Sequence, residues 1–255
     1  MIPLLNKLKV SRSQRQLLRI VVSIGLAVAI LFLIRSELLL FAVVLAVISK
    51  WQVVLGGPRL WLHNLWDNAV DIVVLWSFLA LLVAYATDSV VQWALVAVYL
   101  LWQLLIKPLE GYTGRGTQSL FALALGIGTV FLYKGALGIA VMMLLGWGVG
   151  LVSAYHFLVG SDDSAVTLIS FVWALIVAQL VWIFAQWLVL YPFFDGRIFI
   201  PQASLVVVAL GYAFGNIYYD HRQKRLRKKR LYGYLGLMGL VIISLVVGSE
   251  WVAQL

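Results

Sequence analysis

Long apolar runs separated by short polar segments recur along the whole chain of 255 residues. The runs are about 15 to 26 residues long, which is the length that an α-helix needs to cross the hydrocarbon core of a bilayer. They predict nine membrane-spanning helices, at residues 20–34, 37–55, 69–87, 89–106, 119–133, 135–158, 165–190, 198–219 and 231–248. The predicted fold class is therefore all-α, a polytopic transmembrane helix bundle that forms a single integral membrane domain over residues 1–255.

The distribution of Lys and Arg predicts how the bundle is oriented, because cytoplasmic loops are enriched in these residues. With the N-terminus inside, five of the 19 basic residues precede the first span, four lie at or after the ends of the second and fourth spans, and seven lie in the connector 220–230. Only Arg35, Lys134 and Arg197 then fall outside. We therefore expect a multi-pass protein of the cytoplasmic membrane with its N-terminus cytoplasmic and its C-terminus outside.

Composition limits the classes of function that the chain can have. Hydrophobic residues make up 64% of the sequence and charged residues 11%, against roughly 45–50% and about 25% in soluble domains. The absence of cysteine excludes disulfides, thiolate metal sites and cysteine nucleophiles. The net charge of +9 is interpreted as cytoplasmic loops that contact anionic lipid, so no nucleic acid is expected as a partner.

The connector 220–230 carries the densest group of basic residues in the chain. An anionic membrane surface attracts such a segment by about 1 kcal/mol for each Lys or Arg that lies near it. The residues predicted to contact anionic lipid on the cytoplasmic face are Arg222, Lys224, Arg225, Arg227, Lys228, Lys229 and Arg230. Membrane lipids are therefore the expected partners.

Glycines at helical spacing indicate faces where two helices can approach closely. They are Gly146 with Gly150, Gly211 with Gly215, and Gly233, Gly236 and Gly239 in the last predicted span. We expect these faces to pack helices within the chain, or to contact a membrane-protein partner or a second copy of the chain.

Ionisable residues are scarce in the middle of the predicted spans. Lys50, Lys107, Lys134, Asp88 and Glu250 all lie at or near span ends. Charges that are retained in the middle of a span usually mark an ion path, so the pattern disfavours a proton- or sodium-coupled transporter. The sequence also lacks a P-loop and an HExxH motif. These patterns predict no catalytic residue and no cofactor.

Residues 58–68 are predicted to form an amphipathic helix at the cytoplasmic interface, with Pro58 at its first helical position. The polar arc of this helix continues into the third span and consists of His63, Asn64, Asp67, Asn68 and Asp71. Two interpretations of the carboxylates in this arc remain open. They pair with Arg59, His63 or a neighbouring loop and so fix the angle of the helix, or they bind a ligand.

Nine spans with acidic loops after the second and the sixth resemble the UbiA-type intramembrane prenyltransferases. The segment NLWDNAVD is similar to the first motif of that family through Asn64, Asp67 and Asp71, although Leu65 stands where the family has an acid. The segment GSDDS would supply the second motif. The resemblance implies that Mg²⁺, and through it a diphosphate, is held by Asp67, Asp71, Asp162 and Asp163.

A third segment, YTGR, resembles a patch of the same family in which a Tyr-Thr pair precedes a basic residue. This patch adds two members to the candidate substrate-binding residues, which are Arg59, His63, Asn64, Tyr112 and Arg115.

A second resemblance covers more of the chain. The similar proteins are multispan proteins of reduced-genome, host-associated bacteria, and the matching segments are SKWQVVLGGPRLWLHNLWDNAVDIVV, LLIKP and NIYYDHRQKRL. The resemblance implies a bacterial cytoplasmic membrane and no particular activity. The expected function is a lipid- or small-molecule-binding, permease-like or membrane-complex component without catalytic machinery. The alternative is a divergent, Mg²⁺-dependent prenyltransferase of the UbiA type.

Overall fold

The structure is a computed structural model, and it describes residues 12–50, 61–159, 165–187 and 189–247. These residues are mainly α-helical, which confirms the predicted helical fold class. Each of the nine predicted spans overlaps one of the described helices. The chain divides into two units, Met1–Leu109 and Glu110–Leu255.

The described residues of the first unit form five α-helices. They are α1 (Arg12–Arg35), α2 (Leu39–Ser49), α3 (Trp61–Asp67), α4 (Ala69–Ala84) and α5 (Ser89–Leu101), the last of which continues into a π-helical turn, Trp102–Ile106. Asp88 caps the start of α5, because its side chain accepts hydrogen bonds from the backbone N–H groups of Val90 and Val91 at 3.0 and 3.2 Å. Arg35 ends α1 and donates a hydrogen bond to Gln92 at 2.8 Å, which ties α1 to α5.

Five α-helices and one β-hairpin are formed by the part of the second unit that the structure describes. Its elements are α6 (Gly111–Leu132), α7 (Ile139–Leu158), α8 (Val166–Gln186), β1 (Leu190–Phe193), β2 (Ile198–Pro201), α9 (Gln202–Arg222) and α10 (Lys228–Val247). The hydrophobic core lies between α6, α7, α8 and α9, and its buried members include Ile127, Phe131, Met142, Val177, Val181 and Val207.

The β-hairpin is a feature that the sequence analysis did not predict. Its strands pair antiparallel, from Leu190 opposite Pro201 to Phe193 opposite Ile198. The turn holds three successive residues with φ between 54° and 76°, the last of which is Gly196. Glycine adopts this left-handed backbone without a steric penalty, so it suits the end of the turn.

The hairpin corrects the predicted ends of two spans, at residues 190 and 198. The helix α8 already ends at Gln186, and α9 begins only at Gln202. Pro192 and Pro201 explain the difference, because proline has no backbone N–H and is disfavoured inside a helix. An apolar segment that a hydropathy pattern assigns to helix is therefore strand here.

The predicted packing face on α7 is confirmed. A Cβ atom at Gly146 would lie 2.7 Å from Cγ2 of Val181, and one at Gly150 would lie 2.9 Å from Cβ of Val177. Both distances are too short for a real Cβ atom. The two glycines therefore let α7 approach α8 more closely than any other residue would allow.

The other two predicted glycine faces differ from each other. Cβ atoms at Gly211 and Gly215 of α9 would lie 3.1 Å from Leu123 and 3.2 Å from Phe157, so these glycines are also tightly packed. The glycines of α10, at residues 233, 236 and 239, have no atom of the described residues within 4 Å of an added Cβ. A contact between α10 and a partner protein stays a prediction.

Four helical segments of the described residues are long and apolar enough to cross a membrane. They are Ser89–Ile106, Gly111–Leu132, Ile139–Leu158 and Val166–Gln186. Shorter apolar helices lie at Ile20–Arg35, Leu39–Ser49 and Ala69–Ala84. Large apolar side chains are exposed on several helices, and Leu40, Leu144 and Val247 are 72%, 65% and 80% exposed. These features suggest a membrane protein, because soluble proteins rarely expose so many large apolar side chains.

Candidate functional site

A buried carboxylate in the first unit, Asp71, is surrounded by four donors. Its Oδ2 atom accepts from the ammonium groups of Lys50 and of Lys107, the second at 2.5 Å. Its Oδ1 atom accepts from the indole N–H of Trp102 at 3.0 Å and from the amide of Gln103 at 3.4 Å. Both carboxylate oxygens are therefore engaged by groups of the protein itself.

Three helical elements of the first unit bring these groups together. Asp71 lies in the first turn of α4, and Lys50 follows the last residue of α2. The π-helical turn supplies the rest: the backbone N–H of Lys107 donates to the carbonyl of Trp102 at 2.8 Å, an i→i+5 bond. In an α-helix these two residues would be turned about 140° apart, at about 100° per residue. The wider turn brings Lys107 back to the side of Trp102.

The contacts of Asp71 bear on both interpretations of the carboxylates in the polar arc. Asp71 is 6% exposed and pairs with cations of the chain, as the first interpretation predicts, but the cations are Lys50 and Lys107. Binding of Mg²⁺ would require the carboxylate to release these partners, and a buried charge that loses its partner is costly. The geometry therefore favours a structural role for this carboxylate.

The described hydrogen bonds of the Asp71 side chain involve no other residue of the polar arc. Asp67 is exposed at the end of α3, and Asn68, which follows it, donates its side-chain amide to the carbonyl of Asn64 at 2.9 Å. His63 lies in α3. Arg59, Asp162 and Asp163, which were also predicted, lie outside the described residues. Among the described residues, no group of three His, Asp or Glu side chains could hold a metal ion.

The second unit contains a partly open cavity of about 740 Å³ between α6, α7, α8 and α9. Its wall is mainly apolar and aromatic and includes Leu123, Phe157, Ile176 and Trp173. Among the described residues that line it, none is Asp, Glu, Lys or Arg. Apolar pockets of roughly 300–1,000 Å³ with few polar groups are typical of small-molecule sites.

Aromatic side chains form one end of the cavity. Tyr112 donates its hydroxyl to the carbonyl of Gly215 at 3.1 Å, and its ring stacks on that of Tyr219 with centroids 3.5 Å apart. The ring centroid of Phe157 lies 5.0 Å from that of Tyr112. Tyr112 was predicted from the YTGR patch and lies on the cavity wall. Arg115 of the same patch is not among the lining residues, and its buried Nε atom has no hydrogen-bond partner among the described residues.

Two buried serines on the cavity wall have hydroxyls without a hydrogen-bond partner in the described part of the chain. Ser119 on α6 is 5% exposed and Ser153 on α7 is 1% exposed, and neither hydroxyl has a partner among the described residues. A buried polar atom without a partner costs about 1–3 kcal/mol, so such atoms are uncommon in native proteins. Beside them, Gln118 and His156 satisfy each other at 2.6 Å. Both serines belong to the cavity lining, although their hydroxyl oxygens themselves have almost no accessible surface.

The basic connector 220–230 borders the same end of the cavity. Leu226 of the connector and His221 at the end of α9 belong to the lining, whereas the basic residues on either side of Leu226 are exposed. Asp220, the first residue of the connector, accepts from Arg230 at 3.2 Å and from the hydroxyl of Tyr234 at 3.1 Å. Sequence analysis assigned the connector to lipid but had no signal that it adjoins a cavity.

Comparison of the chain with protein-family models, with curated proteins and with solved structures finds no match. The functional argument therefore rests on the residues themselves.

Proposed function

We propose that the protein is a multi-pass component of a bacterial cytoplasmic membrane, and that its second unit binds a lipid or another small apolar molecule. The cavity between α6, α7, α8 and α9 carries this proposal. It combines an apolar wall with two buried hydroxyls, Ser119 and Ser153, that lack partners among the described residues. A ligand with an apolar body and one polar group would fill the space, and rotation of either serine side chain toward the cavity would let its hydroxyl donate to that polar group.

The ligand proposal is tested by filling the cavity. Ala154 lines it on α7, so Ala154→Phe should occupy the space of the ligand. The control is Leu144→Phe, on the same helix, where the side chain is 65% exposed. Extraction and mass spectrometry of purified protein should find a bound apolar molecule in the wild type and in Leu144→Phe, and much less in Ala154→Phe. A wild type without any bound molecule, or equal amounts in all three proteins, would contradict the proposal.

The topology that we propose has nine spans, an N-terminus in the cytoplasm and a C-terminus outside. Helices at all nine predicted positions and the concentration of basic residues in 220–230 support it. A reporter fused after Arg230 should then be active on the cytoplasmic side, and one fused after Leu255 on the outer side. If both reporters are on the same side, α10 does not cross the membrane.

A second candidate function is the Mg²⁺-dependent prenyltransferase. One observation favours it: Tyr112 and Thr113, which resemble a motif of that family, line an apolar cavity. It also requires Asp71 to bind the metal, although four donors already engage this carboxylate. If this candidate is correct, polyprenyl diphosphate should raise the melting temperature of the wild type more in the presence of Mg²⁺ than in its absence.

A further inference from the structure

We infer that the occupant of the cavity is an anionic membrane phospholipid, an inference that rests on the ligand-binding role proposed above. Its phosphate would lie on the basic connector 220–230, its ester carbonyls at Ser119 and Ser153, and one acyl chain beyond them. The inference rests on three zones of the second unit that follow one another in the order of the chemical groups of a phospholipid.

The first zone is the charged rim. The connector turns Leu226 into the cavity, while Arg225 and Arg227 on either side of it are exposed. An apolar residue held between two exposed cations marks a boundary between an apolar and an anionic group of the same ligand. Each basic side chain near an anionic surface strengthens binding about fivefold.

The second zone is the pair of buried hydroxyls. The ring of Tyr112, at the start of α6, stacks on the ring of Tyr219, three residues before the end of α9, so α6 begins close to the charged rim. Ser119 lies eight residues into α6, and Ser153 lies five residues before the end of α7, which places them about 12 and about 7.5 Å from these helix ends. Ester carbonyls are hydrogen-bond acceptors that lie just below the phosphate of a phospholipid, so they match both the chemistry and the depth.

The third zone is the apolar end. From Tyr112 at the rim to Leu123 at the far end, the cavity wall on α6 extends over roughly 16 Å. Ile176 of α8 and Gly211 of α9 complete this end. A charged group could not be accommodated there, because none of the described lining residues is Asp, Glu, Lys or Arg. An acyl chain fits these conditions.

The charge assignment is tested by native mass spectrometry of the full-length protein after lipid removal. Phosphatidylglycerol and phosphatidylcholine with identical chains are the probes. The variant is Arg225→Gln with Arg227→Gln. The control is Lys134→Gln with Arg197→Gln, which removes the same charge from the loop after α6 and the turn before α9, at the helix ends away from the connector. We expect the wild type and the control to bind phosphatidylglycerol more tightly than phosphatidylcholine. In the variant the ratio of the two affinities should fall by up to roughly 25-fold.

The assignment of the hydroxyls is tested with a diether phosphatidylglycerol, which lacks the ester carbonyls. The wild type should bind it roughly fivefold more weakly than the diester. The double variant Ser119→Ala with Ser153→Ala should bind the two lipids equally. Equal binding by the wild type, or a diester preference that persists in the double variant, would overturn this part of the inference.

The outcomes separate the inference from the role on which it rests. If the wild type retains both phospholipids equally and Ala154→Phe retains neither, the cavity binds lipid chains but the anionic assignment is wrong. If the wild type retains neither phospholipid, the inference is overturned. If the wild type also carries no other apolar molecule, the proposed function fails with it.

Discussion

The indole N–H of Trp102 donates a hydrogen bond of 3.0 Å to Oδ1 of Asp71, although 31 residues separate the two in the sequence. This bond joins the end of α5 to the start of α4, and the two lysines on Oδ2 add α2 to the same cluster. The first unit is therefore held together at one point by a single carboxylate.

Replacing this carboxylate should destabilise the protein strongly. Asp71→Asn leaves Lys50 and Lys107 close together without their common anion, and breaking a buried ion pair typically costs about 3–5 kcal/mol. Thermal or denaturant unfolding in detergent measures the loss. Glu37→Gln is the control, because Glu37 is also an acid of the first unit but is exposed, so this change should alter stability by less than about 0.5 kcal/mol.

The same variant distinguishes the structural role from metal binding. With a structural role, any rise in melting temperature that polyprenyl diphosphate causes by binding in the cavity should not depend on Mg²⁺ and should persist in Asp71→Asn. A rise in the wild type that is absent from the variant would favour the prenyltransferase instead.

The contact between α7 and α8 should not tolerate a methyl group at Gly150. Gly150→Ala would place Cβ 2.9 Å from Cβ of Val177 and 3.2 Å from Cα of Ala174, and overpacking of this kind costs about 1–3 kcal/mol. Gly148→Ala on the same helix meets no described atom within 4 Å, so its higher helix propensity should stabilise the protein by up to about 1 kcal/mol. Unfolding of both variants under identical conditions should therefore shift in opposite directions, and equal shifts would contradict the close contact.

The cavity hydroxyls should contribute nothing to the stability of the protein without lipid. Ser153→Ala removes a buried hydroxyl that has no partner among the described residues, so the free energy of unfolding should stay the same or rise by up to about 1 kcal/mol. Ser170→Ala is the matched control, because the Ser170 hydroxyl donates to the carbonyl of Val166 at 2.8 Å. It should lower stability by about 0.5–1 kcal/mol. A larger loss from Ser153→Ala than from Ser170→Ala would mean that Ser153 is satisfied in the lipid-free protein.

Tyr191 should make the second unit less stable at alkaline pH. Its hydroxyl donates to the carbonyl of Leu245 and accepts from Gln202 at 3.2 Å, and burial raises the pKa of Tyr191. The unfolded chain loses this proton near pH 10 while the folded protein keeps it, so this part of the stability is present below about pH 10 and is lost as the pH rises further. Unfolding at a series of pH values from about 8 to about 11 should show a smaller decline for Tyr191→Phe than for the wild type. Identical declines would show that this tyrosine titrates normally.

Patterns within single segments predicted the helices well, because hydrophobic periodicity and run length are local properties of the chain. They failed between Gln186 and Gln202, where the residues are just as apolar but two prolines and a tight turn favour a hairpin. The packing role of Gly146 and Gly150 was also predictable, since their spacing alone places them on one helix face.

The candidate sites could not be predicted in the same way. Lys50 and Lys107 lie 21 and 36 residues from Asp71, so their meeting depends on how three helices pack. Ser119 and Ser153 have no distinctive local pattern, and only the folded second unit shows that both hydroxyls lack partners among the described residues. The connector 220–230 was assigned to lipid by its charge, but its position beside the cavity follows from the path of α9.

The π-helical turn has a consequence for how this chain can vary in length. Its i→i+5 ring contains one residue more than an α-helical turn, which is the geometric equivalent of a single inserted residue. Deleting one residue from 103–106 would leave Trp102 and the lysine four positions apart, and an ordinary α-helix places such residues on the same face. Alignments of related sequences should therefore accept a one-residue gap here, with the lysine that meets Asp71 shifted in number and unchanged in space.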